Sequence, residues 1–246
     1  MGGDSTEGPR ADVFATTRWT VVLEAGRRDS PQAERALEEL CRMYWYPLYA
    51  FVRRQGHSRQ DAEDLTQGFF ARFLERSYLH QVASDKGRFR AFLLASLKHY
   101  LANESDRATA KKRGGGQKPL SLEWQAADSR YQIEPADPLS PDKLYDRAWA
   151  TMLLENVIRR LRTETAAEGK ATLFTRLRPF LMVGSDSISY PEAARELGLS
   201  EGAVRVAVHR LRRRYREMLR AEVAQTISDP AMLQAELQVL FTAFSD

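Results

Sequence analysis

Apolar side chains recur at spacings of three and four residues along most of this chain, which is the spacing of one face of an α-helix. A serine and a proline at positions 30 and 31 mark the start of the first long helix, and Pro47 predicts a kink or an interruption within it. The capping box from Ser58 to Asp61 starts a second helix, and a third starts near Phe89. No segment alternates with a period of two for long enough to indicate a strand, so the pattern predicts an all-α protein.

The helical spacing is lost after residue 108 and returns near Leu144. The segment between contains KKRGGGQKP and EPADPLSPD, whose glycines and prolines are typical of a linker. We therefore predict two small helical domains joined by a flexible linker. The predicted parts are an N-terminal extension (1–29), a first helical domain (30–107), the linker (108–147), a second helical domain (148–222) and a C-terminal amphipathic extension (223–246).

The clearest local signal lies in the second domain. A capping box beginning at Ser189 starts a short helix, Gly198 suits a left-handed C-cap, and Ser200 caps the next helix. Leu199, between the two helices, is expected to pack inward. Two short helices joined by a tight turn that contains glycine form the helix-turn-helix pattern, which this segment is predicted to adopt.

The second of these helices carries an apolar stripe and a basic stripe. The apolar stripe consists of Val204, Val208, Leu211 and Tyr215. The basic stripe consists of Arg205, His209, Arg212 and Arg216. Residues 201–220 contain seven arginines and two glutamates, a local charge of +5, whereas the whole chain carries +4. The pattern favours DNA binding, with base edges contacted near the helix N-terminus and phosphates further along. A solvated basic helix that only packs through its apolar stripe is the simpler alternative.

The first domain carries two further charged segments. Acids at 61–64 lie on the second helix away from its apolar stripe, and they fit either a binding surface or plain stabilisation of a helix N-terminus. Basic residues alternate with aromatic rings from Lys86 to Arg107, a mixture that suits single-stranded nucleic acid. The alternative is that these rings are simply core. The residues alone leave both questions open.

The composition argues against several classes of protein. Cys41 is the single cysteine and the four histidines are scattered, so neither a disulfide nor a metal site is expected. Neither a phosphate-binding loop nor a nucleophile–base pair is apparent, and we predict no cofactor and no enzymatic activity. No apolar run approaches the roughly 18 residues of a membrane span, and no secretory signal is present, so the expected location is the cytoplasm.

The order of these motifs resembles a bacterial RNA polymerase sigma factor of the extracytoplasmic-function (ECF) group, which has regions 2 and 4. The motifs are DAEDLTQ (61–67), GRFRAFL (87–93), the linker and SYPEAARELGLSEGAVRVAVHRLRRR (189–214). The resemblance covers about residues 36–107 and 148–222. It implies a region 2-like first domain, a region 4-like second domain, and a protein that directs core RNA polymerase to promoters and opens the minus-ten element. It also implies a linker that reaches the channels of the polymerase.

The resemblance also implies three sets of site residues. The set that would bind the clamp helices of the polymerase largest subunit is Asp61, Glu63, Asp64 and Gln67. The set that would contact minus-ten DNA is Lys86, Arg88, Arg90, Lys98, His99, Asn103 and Arg107. The set that would contact minus-thirty-five DNA is Ser200, Glu201, Arg205, His209, Arg210, Arg212 and Arg213. Further implied partners are the polymerase flap, promoter DNA and a possible anti-sigma factor.

This sequence departs from the usual family pattern at several positions. Ala95 and His99 stand where the family often has arginine and asparagine. Ala203, Val206 and Ala207 replace the usual threonine, serine and arginine, which shifts the expected base contacts toward Arg205, His209 and Arg210. Residues 223–246 lie beyond region 4 and predict a helix whose apolar face needs a partner, in the same chain or in another.

Two other functions remain open from the sequence. One is a helix-turn-helix repressor or activator that binds duplex DNA as a dimer without polymerase. The other is a helical adaptor or sequestering protein whose basic helix binds an acidic protein. A repressor would have no use for outward acids at 61–67, and an adaptor would not show salt-dependent DNA binding.

Overall fold

The computed structural model describes residues 31–73, 87–110, 130–131, 139–181 and 189–245. Eight α-helices lie within these residues: α1 (Pro31–Arg54), α2 (Arg59–Phe73), α3 (Phe89–Ala110), α4 (Pro141–Ala167), α5 (Ala171–Leu177), α6 (Tyr190–Leu197), α7 (Glu201–Ala224) and α8 (Leu233–Thr242). The described residues contain no strand, and one isolated antiparallel bridge joins Arg88 to Ile227. The all-α class is therefore confirmed for this part of the chain. None of the helices in the described residues is long and apolar enough to cross a membrane.

The chain divides into two compact units. Unit 1 runs to Ala150 and also includes the chain from Val223 onward, whereas unit 2 is Thr151–Glu222. The division falls within α4 and within α7, so each of these helices contributes to both units. The C-terminal segment, which the sequence treats as a separate extension, groups with the first unit. Helix α4 begins at Pro141, inside the predicted linker, with the Ser140 hydroxyl accepting a hydrogen bond from the Lys143 amide at 3.3 Å.

Helix α1 runs through Pro47 without a break, so the predicted interruption is wrong. Proline within a helix costs about 3 kcal/mol because it removes one backbone hydrogen bond and crowds the preceding turn. The residues around it are almost entirely buried, including Tyr44, Tyr46, Leu48 and Phe51. Burying each large apolar side chain contributes about 1.5–3 kcal/mol, and this packing outweighs the local cost.

Aromatic rings fill the space between α1, α2 and the start of α3. The rings of Tyr44 and Phe89 meet edge to face at 5.0 Å, and Phe69 meets Tyr100 at 5.8 Å. Phe73 and Phe89 are almost fully buried. The rings of the basic-aromatic segment are thus largely core, which is the simpler of the two alternatives drawn from the sequence.

The connection between α6 and α7 follows its predicted capping chemistry. The Ser189 hydroxyl accepts a hydrogen bond from the Glu192 amide at 3.3 Å, and Gly198 adopts the left-handed conformation (φ 64°, ψ 30°). The Ser200 hydroxyl accepts one from the Ala203 amide at 3.2 Å. The inward packing predicted for Leu199 is wrong, because this side chain is 43% exposed. The core beside this turn is formed instead by residues of α5, of the 3₁₀ turn that follows α5, of α6 and of α7. They are Leu177, Phe180, Ala193, Ala194, Val204 and Val208.

The C-terminal segment finds its partner in the same chain. Asp229 caps a short 3₁₀ turn (Pro230–Met232), and α8 then buries Leu233, Leu237 and Leu240 within unit 1. Backbone hydrogen bonds join this segment to the start of α3, from the Phe89 amide to the Thr226 carbonyl at 2.9 Å and from the Ser228 amide to the Gly87 carbonyl at 3.2 Å. The start of α3 is therefore held in place by residues far away in the sequence.

We predict that Gly68→Ala destabilises unit 1 through one specific contact. A Cβ atom at Gly68 would lie 2.5 Å from the Tyr100 hydroxyl oxygen, so either the Tyr100 ring or the packing of α2 on α3 would have to shift. The expected loss is about 1–3 kcal/mol in urea unfolding followed by circular dichroism. In a Tyr100→Phe background the same change should be neutral or stabilising by up to about 1 kcal/mol, because alanine is the better helix former. Equal losses in both backgrounds would exclude this contact as the cause.

Candidate functional site

An open groove of about 700 Å³ lies along α2 and α3 in unit 1. Three carboxylates line it: Asp61 and Asp64 from α2, and Glu104 from α3. Leu65 and Leu101 contribute apolar surface. The other residues along the groove are Gln55, His57, Lys98, Ala102 and Ser105. The three carboxylates face one lysine, which itself pairs with Asp142, so the groove is predominantly acidic.

The four residues predicted to bind polymerase are not all in this groove. Asp61 and Asp64 line it and are exposed, whereas Glu63 pairs with Arg59 at 2.9 Å and, like Gln67, is outside the lining. Asp61 also has a structural role, because the Ser58 hydroxyl contacts its carboxylate at 2.6 Å. Stabilisation of the N-terminus of α2 therefore accounts for one contact of Asp61. It does not account for the presence of Glu104 in the same groove.

Sequence reasoning missed Glu104. Helical spacing places Leu101, Glu104 and Ser105 on one face of α3, and this signal is present in the sequence. Only the packing of α2 on α3 shows that this face adjoins the acids of α2.

A buried glutamate pairs with Arg88, which directly precedes α3, and with Arg90 in its first turn. Glu236 of α8 is fully buried, and its two oxygens approach Arg90 Nε at 3.0 Å and Arg88 Nε at 3.1 Å. Arg90 also pairs with Asp146, and its guanidinium lies 4.9 Å from the centre of the Trp149 ring. Arg90 was predicted to contact minus-ten DNA, but it is only 8% exposed, and its guanidinium faces Glu236 and Asp146.

Protonation states within this cluster follow from burial and charge. Burial opposes the charge of Arg90, but the hydrogen bond with Glu236 and the charge of Asp146 raise its pKa above the ordinary value. Burial raises the pKa of Asp146 despite the opposing effect of Arg90. Burial likewise raises the pKa of Tyr145, whose hydroxyl donates a hydrogen bond to the Arg90 carbonyl at 3.0 Å. Within the described residues Glu236 Oε2 makes no hydrogen bond, although Arg88 Nε lies 3.1 Å away, so the contact with Arg88 is an ion pair only.

The remaining residues predicted for minus-ten DNA lie further along α3. Lys98 is exposed and pairs with Asp142, while His99 and Asn103 are exposed one helical turn apart. Ala95 precedes them by another turn and is also exposed, so 95, 99 and 103 form one open stripe. Lys86 lies outside the described residues, and Arg107 lies in α3 with its side chain outside them.

Helix α7 presents most of its predicted DNA contacts to solvent. Arg205, His209, Arg210 and Arg213 are all exposed. The Arg205 guanidinium lies 4.5 Å from the centre of the Tyr190 ring and 3.7 Å from Glu201. The stacking holds this guanidinium near the N-terminal end of α7.

Other residues of this set also have structural contacts. The Ser200 hydroxyl caps α7, and Arg212 Nε donates a hydrogen bond to the Phe180 carbonyl at 2.9 Å. Arg213 approaches Glu217 at 3.6 Å. Ser200 and Arg212 thus help to fix the helix within unit 2.

A second groove, of about 530 Å³, lies within unit 2. Helices α4, α5 and α7 line it, with apolar side chains such as Leu161, Leu173 and Val206. At its rim Arg214 of α7 pairs with Glu164 of α4 at 2.8 Å. This pair connects the basic helix to the helix behind it.

The chain is 24% identical over 189 residues to the ECF RNA polymerase sigma factor SigE of Mycolicibacterium smegmatis. The similarity supports a relationship to the sigma-70 family. It covers 77% of this chain and 63% of the relative, so the chain spans less than two thirds of that curated protein. No family model and no solved structure matches the chain.

We predict that Glu236→Gln destabilises the protein by about 3 kcal/mol, because it removes the buried carboxylate charge that pairs with both Arg88 and the buried Arg90, while Asp146 continues to pair with Arg90. The measurement is the free energy of unfolding in urea. Glu217→Gln is the matched control, since its pairs with Arg213 and Arg214 are exposed and it should cost less than about 1 kcal/mol. A loss for Glu236→Gln no larger than that of the control would contradict the assignment of Glu236 as the centre of the cluster.

Proposed function

We propose that this chain is a sigma factor that directs core RNA polymerase to specific promoters and opens the minus-ten element. The observation that carries this proposal is the presence of two unlike surfaces on one chain, an acidic groove in unit 1 and a basic helix in unit 2. The similarity to a mycobacterial ECF sigma factor supports it.

The acidic groove is the proposed site for the clamp helices of the polymerase. Asp61, Asp64 and Glu104 attract a cationic helix, and Leu65 and Leu101 can pack against its apolar side. Glu63 and Gln67 are neighbours on α2 and would extend the contact beyond the groove. Opposite charges at exposed sites mainly accelerate docking and select the partner, so reversing them should weaken association strongly.

Helix α7 is the proposed reader of the minus-thirty-five element. Arg205 lies near its N-terminus, where side chains of a recognition helix reach base edges, and Glu201 could accept a hydrogen bond from cytosine. His209, Arg210 and Arg213 follow along the exposed side and would contact bases or phosphates. The proposed site for the polymerase flap is the side of the apolar groove formed by Leu161 of α4 and by Leu173 and Phe174 of α5.

The proposed minus-ten surface is the open stripe of α3. His99 and Asn103 can hydrogen-bond to an unstacked base, and Lys98 lies beside them. Arg88 is half-buried and held by Glu236, so it would act on DNA only after that ion pair opens. An operator-binding repressor needs none of these unit 1 surfaces, and the acidic groove therefore favours the sigma factor.

We predict that replacing Asp61 and Asp64 together by lysine abolishes association of the full chain with core polymerase, because both carboxylates line the groove. Co-purification with core polymerase measures the effect. The control is Glu39→Lys, a charge reversal at an exposed position of α1 outside the groove, which should bind normally. Circular dichroism checks that both variants keep their helices. Normal binding by the double variant would refute the docking role.

We predict that Arg205→Ala costs about 1–3 kcal/mol of discrimination at one base pair, since the loss of a base-edge contact is felt at a single position. Holoenzyme binding to a set of single-substitution duplexes measures it. Arg216→Ala, further along the same helix, should weaken all duplexes equally because it is placed for phosphate contact. A uniform loss for Arg205→Ala would reassign Arg205 to the phosphate backbone.

A further inference from the structure

The outermost line of α7 begins without a polar side chain. Helical spacing places Gly202, Val206, His209 and Arg213 on the side opposite the buried residues Val204 and Val208. All four outer positions are exposed. The first two turns of this line therefore present one small apolar side chain and a bare stretch of backbone, and the first arginine on it is Arg213.

Val206 is 50% exposed, and its surroundings leave room for a close partner. A Cβ atom built on Gly202 would meet a single neighbouring atom within 4 Å, the Ser200 hydroxyl oxygen at 4.0 Å. Ala203 is also exposed, so another surface could approach this end of the helix closely. Gly202 and Val206 also line the apolar groove of unit 2, and what distinguishes Val206 from the other apolar side chains of that groove is its place between the exposed Arg205 and Arg210.

Charge identifies the class of partner. Arg205 and Arg210 flank Val206 on either side of the outer line, and both are exposed. A cationic rim around a small apolar centre complements the major groove of DNA, where phosphates border base edges. Among those edges, the C5-methyl group of thymine is the apolar feature that a side chain can contact.

We propose that Val206 is a specificity-determining residue that packs against the C5-methyl group of a thymine in the major groove. This inference rests on the proposed function, because it requires α7 to lie in the groove with its N-terminal turns against the bases. Gly202 permits the close approach of the backbone, and Arg205 and Arg210 hold the duplex at both sides.

The test uses deoxyuridine, which lacks only the C5-methyl group of thymine. Holoenzyme made from core polymerase and the full chain first selects duplexes from a randomised pool. Each thymine of a selected duplex is then replaced singly by deoxyuridine. We expect about a fourfold loss of affinity at one or two positions, the amount that corresponds to burying one methyl group.

In Val206→Ala and in Val206→Ser the same deoxyuridine substitution should cost less than about twofold, because the partner of the methyl group is gone. Phe241→Ala is the matched control: it removes another exposed apolar side chain, 62% exposed in α8, and should keep the full penalty. Val206 is exposed, so neither substitution removes core packing, and circular dichroism verifies this.

Three results would overturn the proposal in distinguishable ways. If deoxyuridine is tolerated at every position, or costs the same in the wild type and both Val206 variants, the methyl contact is refuted while promoter selection stands. If Val206→Ala weakens binding to core polymerase and leaves the deoxyuridine penalties intact, Val206 belongs to a protein contact at the adjoining groove. If no duplex is selected at all, the proposed function itself fails.

Discussion

Electrostatic repulsion between carboxylates and phosphates keeps an acidic surface away from DNA, and this constraint underlies the proposed division of labour in the chain. The carboxylates of the α2–α3 groove belong to unit 1, and the exposed arginines of α7 belong to unit 2. A cationic protein helix suits the first surface and a nucleic acid suits the second. In the proposed function the acidic groove therefore serves the polymerase, and DNA contacts are left to α7 and to the exposed stripe of α3.

The C-terminal segment gives unit 1 a polar core as well as an apolar one. Glu236 lies on α8 among the buried Leu233, Leu237 and Leu240, and it pairs with Arg88, which precedes α3, and with Arg90 in the first turn of α3. Removing one partner of a buried ion pair lowers the free energy of unfolding much more than removing one partner of an exposed pair, because the remaining charge stays buried. Any contact between Arg88 and DNA therefore competes with an internal carboxylate.

Local chemistry was readable from the sequence, whereas contacts between distant segments were not. Caps at Ser189 and Gly198 depend on residues three or four positions away, and they formed as predicted. The burial of Arg90 depends on a glutamate 146 residues further along, which no local pattern reveals. A hint existed, because Glu236 occupies a position of the apolar stripe of α8, where an acid requires a buried partner. Likewise, tertiary packing outweighed the local preference of Pro47.

The most direct test of the central claim is run-off transcription with purified core polymerase and a promoter library. Added full-length chain should convert diffuse, non-specific initiation into discrete start sites that share a common upstream sequence. If the chain binds duplex DNA alone with high affinity and leaves the start sites of the polymerase unchanged, it is a repressor or activator and the sigma factor assignment is contradicted.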